Sequence, residues 1–206
     1  MKTLIDHGLI KSLKTKSYLR LHNLKNTSDL KLIIPTCYTQ DKEKEFNLHQ
    51  KSYLVNYPID QVWDAYLNIP PSKAWSGKKI QFSFSFDFDK DQISYTKDKY
   101  EGLRVGQLIF LEIKLAFGLV KLAVTHQVNE ISEAKKSMKF CYVEGGKASG
   151  SQMLSLVKKG ENQTEVVHNT YYKSDSKFRD KRLYPTIHES IINEFHRNVF
   201  NFLRES

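Results

Sequence analysis

The order of elements along the sequence predicts an α+β fold, a curved antiparallel sheet of about six to seven strands wrapped around one long C-terminal helix. Three observations carry this expectation. From residue 80 onward, segments of alternating apolar and polar residues follow one another with short, glycine-marked separations. Such separations suit hairpins, because parallel strands need long crossovers. Residues 183–204 are instead amphipathic at the helical period, and two short proline-bounded helices stand between the first extended segment and the strands. A sheet curved around a helix leaves room for a small apolar molecule between them.

At the N-terminus, Ile5, Leu9, Ile10 and Leu13 predict a helix over residues 3–22. Residues 23–29 read as a turn, 30–35 as a short extended piece and 40–45 as a charged linker. The chain therefore divides into an extension, 1–45, packed on the domain, and a main domain, 46–206. Residues 46–57 are extended. Pro58 then supplies a helix N-terminus, where its missing N–H costs no intrahelical bond, and Val62, Trp63, Tyr66 and Leu67 give that helix an apolar face. Pro70 and Pro71 stop it, and a second short helix, 72–75, ends toward Gly77.

The alternation of Ile80, Phe82, Phe84, Phe86 and Phe88 with Gln81, Ser83, Ser85 and Asp87 is the pattern of a half-buried strand whose phenylalanines form core. Further strands are expected at 93–96, 106–117, 119–133, 137–144, 151–158 and 165–173, with turns at Gly118, Gly145-Gly146 and Gly160.

The last helix sets the geometry. At about 100° per residue, Tyr184, Ile187, Ile191, Ile192, Val199, Phe202 and Leu203 fall within about 80° of Phe195. Ser190, Asn193, Arg197 and Asn201 lie opposite. Two polar side chains interrupt the apolar face, His188 near its centre and Asn198 to one side, with His196 at its margin. His188 reads either as a partly buried histidine bonded to a neighbour or as a polar anchor in a pocket.

Composition narrows the class. The 206 residues, 40% hydrophobic and 12% aromatic, suffice for a sizeable core. The most apolar stretch, 108–124, is interrupted by Glu112, Lys114 and Lys121, so no membrane-spanning helix is expected. Nor does the start carry an apolar segment of signal-peptide length. Cys37 and Cys141, far apart in sequence, suit reduced thiols and a cytoplasmic chain better than a disulfide framework. The net charge of +9, with a pI near 9.3, raises nucleic acid or an acidic membrane as partners. One basic cluster precedes Asn26 and a second comprises Lys173, Lys177, Arg179, Lys181 and Arg182, while elsewhere the signs are interspersed. With no RNA-binding or zinc-finger pattern, this distribution argues against nucleic acid and leaves a membrane surface as a weaker partner class.

Catalytic templates are absent: there is no nucleophile elbow, phosphate loop, dinucleotide fingerprint or zinc-protease helix. His188 and Glu189 are adjacent and project about 100° apart, so they form no metal pair; no metal or cofactor is expected. Proton transfer by a buried histidine with a tyrosine or glutamate is the chemistry the composition allows.

The segments KSYLVNYPIDQVWDAYLNI (51–69), FCYVEGGKASGSQMLSLV (140–157) and NQTEVVHNTYYKS (162–174), with the terminal helix, resemble the START-like helix-grip superfamily (SRPBCC). That superfamily includes polyketide cyclase/dehydrase-type proteins, lipid-transfer domains and the plant pollen-allergen type. The resemblance covers 46–206 and implies a cavity between the concave face of the sheet and the last helix. The sequence supplies suitable lining: Val120, Leu122, Val124, His126 and Val128 share one strand parity.

The candidate ligand-binding residues are His188, Tyr184, Ile191 and Phe195 on the helix, with His126, Tyr142, Glu112 and Tyr172 on strands. Each strand candidate moves to the other face if a bulge intervenes, and a tyrosine can simply put its ring in the core. The expected function is binding of a small hydrophobic molecule, lipid-like, polyketide-like or aromatic, as carrier or sensor. The alternatives are a cyclase, dehydrase or isomerase using a cavity histidine as proton shuttle, and a protein-interaction or membrane-associated lipid-carrier module.

Overall fold

In the computed structural model, which describes residues 2–115 and 118–205, eight strands form one antiparallel sheet. They are β1 (Asn47–Val55), β2 (Ile80–Asp87), β3 (Gln92–Tyr95), β4 (Leu108–Leu115), β5 (Val120–Ser132), β6 (Ser137–Tyr142), β7 (Ser149–Gly160) and β8 (Gln163–Lys173), in the order β1-β8-β7-β6-β5-β4-β2-β3. The far end of the strand expected at 106–117 lies outside the described residues. Gly118, at φ +90°, turns the chain from β4 into β5, a backbone conformation that side chains disfavour.

The helices are α1 (Leu13–Leu21), α2 (Thr27–Leu30), α3 (Ile59–Asn68), α4 (Pro71–Ala74) and α5 (Tyr184–Glu205), the last entered through one π turn at Arg179–Leu183. The concave face of the sheet grips α5. Ile191, Phe195, Val199 and Leu203 are buried against Val62, Trp63 and Tyr66 of α3 and against the strands. Phe195 stacks on Trp75, with ring centroids 4.1 Å apart. The polar residues on this face have structural partners. Asn198 donates to the carbonyls of Ala74 and Ser76, at 3.0 and 2.7 Å. The buried Glu194 carboxylate accepts from the Lys78 and Lys79 amides. Together they tie α5 to the α4–β2 connection.

The convex face is covered too. Ile5, Ile10, Leu19, Leu24, Leu30 and Ile33 of the N-terminal segment form a second core with Phe84, Phe86, Leu108 and Phe110. The helix expected over 3–22 is corrected to Leu13–Leu21. Gly8 turns on the Asp6 carboxylate, the Ile5 amide bonds the Lys25 carbonyl at 2.9 Å, and Ser12 caps α1 by accepting from the Thr15 amide. Residues 40–45, expected as a linker, form a turn of 3-10 helix.

The phenylalanine ladder does not share one face. A bulge between Phe82 and Phe84 shifts the pairing of β2 with β4, and an extra residue in one strand reverses side-chain parity beyond it. Ile80 and Phe82 therefore join the core around α5, whereas Phe84 and Phe86 join the outer core.

The expectation of reduced cysteines is also corrected: Cys37 and Cys141 form a disulfide across 104 residues of sequence. The Thr36 amide bonds the Tyr142 carbonyl and the Gly150 amide bonds the Thr36 carbonyl, each at 2.7 Å, so Cys37 is laid beside Cys141. Sequence distance carried no information about that approach. Its loss removes the ground on which a cytoplasmic location was expected, since disulfides persist mainly in oxidising compartments. Among the described residues, no helix is long and apolar enough to cross a membrane.

Candidate functional site

A cavity of about 230 Å³ opens between α5 and the β4–β6 part of the sheet. Its walls are largely apolar: Ile113 and Leu115 from β4, Leu122 and Val124 from β5, Val143 after β6, and Leu183, Ile187 and Ile191 from the start of the last helix. Lys147 and Arg179 stand at the rim, where Arg179 donates to the Lys147 carbonyl at 2.9 Å and pairs with Asp175 at 2.5 Å. The polar side chains inside are Tyr142, Tyr184 and His188.

The two tyrosine hydroxyls are hydrogen-bonded to each other. Tyr142 comes from the end of β6, paired with His126 of β5, and Tyr184 from the first turn of α5. Burial pushes the Tyr142 hydroxyl up to about 12 and Tyr184 well above the ordinary phenol range, the proximity of Tyr142 adding to the second. Both are neutral O–H groups at neutral pH. Tyr184 also stacks between Tyr172 and His188, at centroid distances of 3.7 and 5.1 Å.

Behind the pair runs a chain of buried polar side chains. The Gln152 amide nitrogen lies 3.4 Å from the Tyr142 hydroxyl and 2.9 Å from His126 Nε2. Its carbonyl oxygen lies 3.0 Å from His168 Nε2, and His168 Nδ1 lies 2.8 Å from His196 Nε2, while His196 Nδ1 meets the Tyr66 hydroxyl. One assignment satisfies every link with neutral rings. Tyr66 donates to His196, His196 to His168, His168 to the Gln152 carbonyl, and the Gln152 amide to His126 and Tyr142.

The electrostatics agree. Burial lowers His126 to about 4, and burial with the neighbouring His188 lowers His196 to about 3. His168 is held well below the ordinary imidazole range by burial first and His196 second. All three rings are buried, and charging any of them would cost solvation.

Of the residues expected at the site, Tyr142, Tyr184, His188 and Ile191 line the cavity. The nitrogens of His188 face Thr170, at 3.5 Å, and His49, at 3.3 Å, and burial keeps this ring neutral as well. His126 stands one layer behind, bonded to Gln152. Tyr172 lies behind Tyr184, its hydroxyl donating to the Asp180 carbonyl at 2.8 Å. Phe195 sits deeper, against Trp75.

Glu112 is on the other face of the sheet, a correction to its expected place. It alternates with Leu111 and Ile113, which face inward, and it accepts from Ser12 at 2.7 Å under α1. His196, expected at the margin of the helix face, is wholly buried and central to the chain. Gln152 and His168 were not singled out from the sequence. The signal that could have found them is shared parity: both lie on the inward side of β7 and β8, where polar side chains need partners.

No protein-family model matches the sequence, and no curated protein matches it. Solved structures do match in fold. Norcoclaurine synthase from Thalictrum flavum, in complex with dopamine and hydroxybenzaldehyde, is 13% identical with a TM-score of 0.55, over 84% of this chain and 95% of that one. Ginseng major latex-like protein 151 from Panax ginseng is 13% identical with a TM-score of 0.53, over 76% and 97%. A conserved protein from Geobacillus kaustophilus is 14% identical with a TM-score of 0.55, over 78% and 97%. At these identities the likeness is one of fold: the chain has the helix-grip architecture, and a fold does not by itself assign a function.

Proposed function

We propose that the protein binds a small, largely apolar molecule in the cavity between the sheet and α5, as a carrier or sensor. The observation that carries this reading is the cavity itself, apolar walls around one tyrosine hydroxyl pair. That is the composition of ligand pockets, in which a few fixed polar groups orient an apolar body. At about 230 Å³, below the roughly 300 Å³ from which drug-sized pockets begin, it suits one or two rings or a short chain. Native mass spectrometry of freshly purified protein tests it. A retained small molecule, displaced when Val124→Trp fills the cavity, is the expected result. If no compound is retained and none of a set of small aromatics shifts the NMR signals of the lining residues, the reading fails.

A second reading, an enzyme of the cyclase, dehydrase or isomerase kind, is favoured by the hydroxyl pair. Neutral phenolic donors in an apolar site polarise a carbonyl, and a protein of the same fold, norcoclaurine synthase, holds dopamine and hydroxybenzaldehyde. In this reading Tyr142 and Tyr184 are the working donors, rather than His188 or His126, which burial keeps neutral and whose ring nitrogens face protein groups. Deuterium exchange at the α-carbon of a bound ketone above the rate in buffer would support the enzyme; exchange at the buffer rate favours the carrier.

A further inference from the structure

Two phenolic hydroxyls that meet each other carry two protons, and only one of these lies in their shared hydrogen bond. Among the described residues, the Tyr184 hydroxyl has no polar partner other than Tyr142, and the Tyr142 hydroxyl has only Tyr184 and the Gln152 amide, itself a donor. One O–H proton of the pair is therefore left without a protein acceptor. Both side chains line the apolar cavity, so that proton points where a ligand would sit.

The rest of the network sets its direction. With Gln152 donating to Tyr142, the favourable continuation is Tyr142 donating to Tyr184, and each donor in such a chain polarises the next. The sequence Tyr66, His196, His168, Gln152, Tyr142, Tyr184 then ends on an outward O–H. Among the described residues that line the cavity there is no carboxylate, so these offer a donor and no ionised acceptor.

Resting on the binding reading above, we infer that the cavity selects apolar molecules bearing one hydrogen-bond acceptor oxygen, a ketone, aldehyde or quinone-type carbonyl, seated against the tyrosine pair. A hydrocarbon of the same shape leaves the proton unpaired. A ligand whose buried polar end is only a donor meets a donor.

The test compares 1-indanone with indane, matched in shape and differing in the carbonyl. Calorimetry on the intact protein should show the ketone binding about fivefold more tightly, the size of one ordinary net hydrogen bond. The bound carbonyl stretch should fall below its frequency in alkane solvent. In Tyr142→Phe/Tyr184→Phe, the preference should fall to about one and the shift should vanish. Equal affinity of the parent protein for both probes, or an unshifted carbonyl band, overturns the inference while leaving the binding reading intact. If neither probe binds, the inference is overturned, and the binding reading stands or falls on the retained-compound and NMR measurements given above. The infrared measurement needs only the parent protein, so a misfolded variant would not spare the inference.

Discussion

His168 Nδ1 stands 2.8 Å from His196 Nε2, with the two rings at 79° to each other. A single proton lies between them, and the outer nitrogens are committed to Gln152 and Tyr66, so the pair is a unit of neutral imidazoles. With His126 and His188, four histidines have folded pKa values below the roughly 6.5 of an exposed imidazole. As pH falls, the unfolded chain takes up protons first. Their contribution to stability is thus fully present above about pH 6.5 and is lost as the pH falls toward about 4 for His126 and about 3 for His196. Each costs about 1.4 kcal/mol per pH unit within that window. Urea titrations at about pH 7.5 and about pH 5 should differ by several kcal/mol; equal midpoints would mean that these rings are not buried together.

Tyr66→Phe removes the hydroxyl that donates to His196 and leaves a buried ring nitrogen without its donor. A cost of about 1 to 3 kcal/mol is expected. Combined with His196→Phe, the second change should cost less than it does alone, because the two groups serve one another. Additive costs in a double-mutant cycle would dissolve the link.

The N-terminal segment carries core residues of its own. Leu19 is fully buried against the convex face, so Leu19→Ala should cost about 2 to 5 kcal/mol in a thermal or denaturant melt. A variant as stable as its parent would mean that this layer is an ornament of the surface.

For the disulfide, Ellman titration in denaturant without reductant should find no thiol. Cys141→Ser should cost about 2 to 5 kcal/mol, since the bond closes a long loop in the unfolded chain. Two titratable thiols per chain would refute the link.

Phe195→Ala empties a site packed by Trp75 and Tyr66, and about 3 to 5 kcal/mol should be lost. A melting temperature within about a degree of the parent's would count against the docking of α5 described above.

Much of this fold was legible in the sequence, because periodicity is a local property. The apolar stripe around Phe195, the proline-bounded α3 and α4, and the alternation of the strands each follow from residues a few positions apart. That Leu122, Val124 and His126 share one side of their strand was legible for the same reason, though which side faces the helix was not. What stayed hidden depends on insertions or on contacts distant in sequence. One bulge near Ser83 divides Phe82 from Phe84, and parity alone could not place Glu112 on its face. The meeting of His168 with His196 requires β8 and α5 to be docked first. The approach of Cys37 to Cys141 needs the strap across the β6–β7 end, and no spacing rule encodes that.

Cys141 and Tyr142 are consecutive residues at the end of β6 that face opposite ways. The first fastens the N-terminal strap outside the sheet; the second offers its hydroxyl to the cavity inside. Covering and pocket therefore share a single peptide unit and cannot be exchanged as independent modules. A chimera that took its first 45 residues from another helix-grip protein would change the support of Tyr142 without altering any cavity side chain. Grafting a new pocket onto this scaffold would in turn have to respect a clamp on the far side of the same strand.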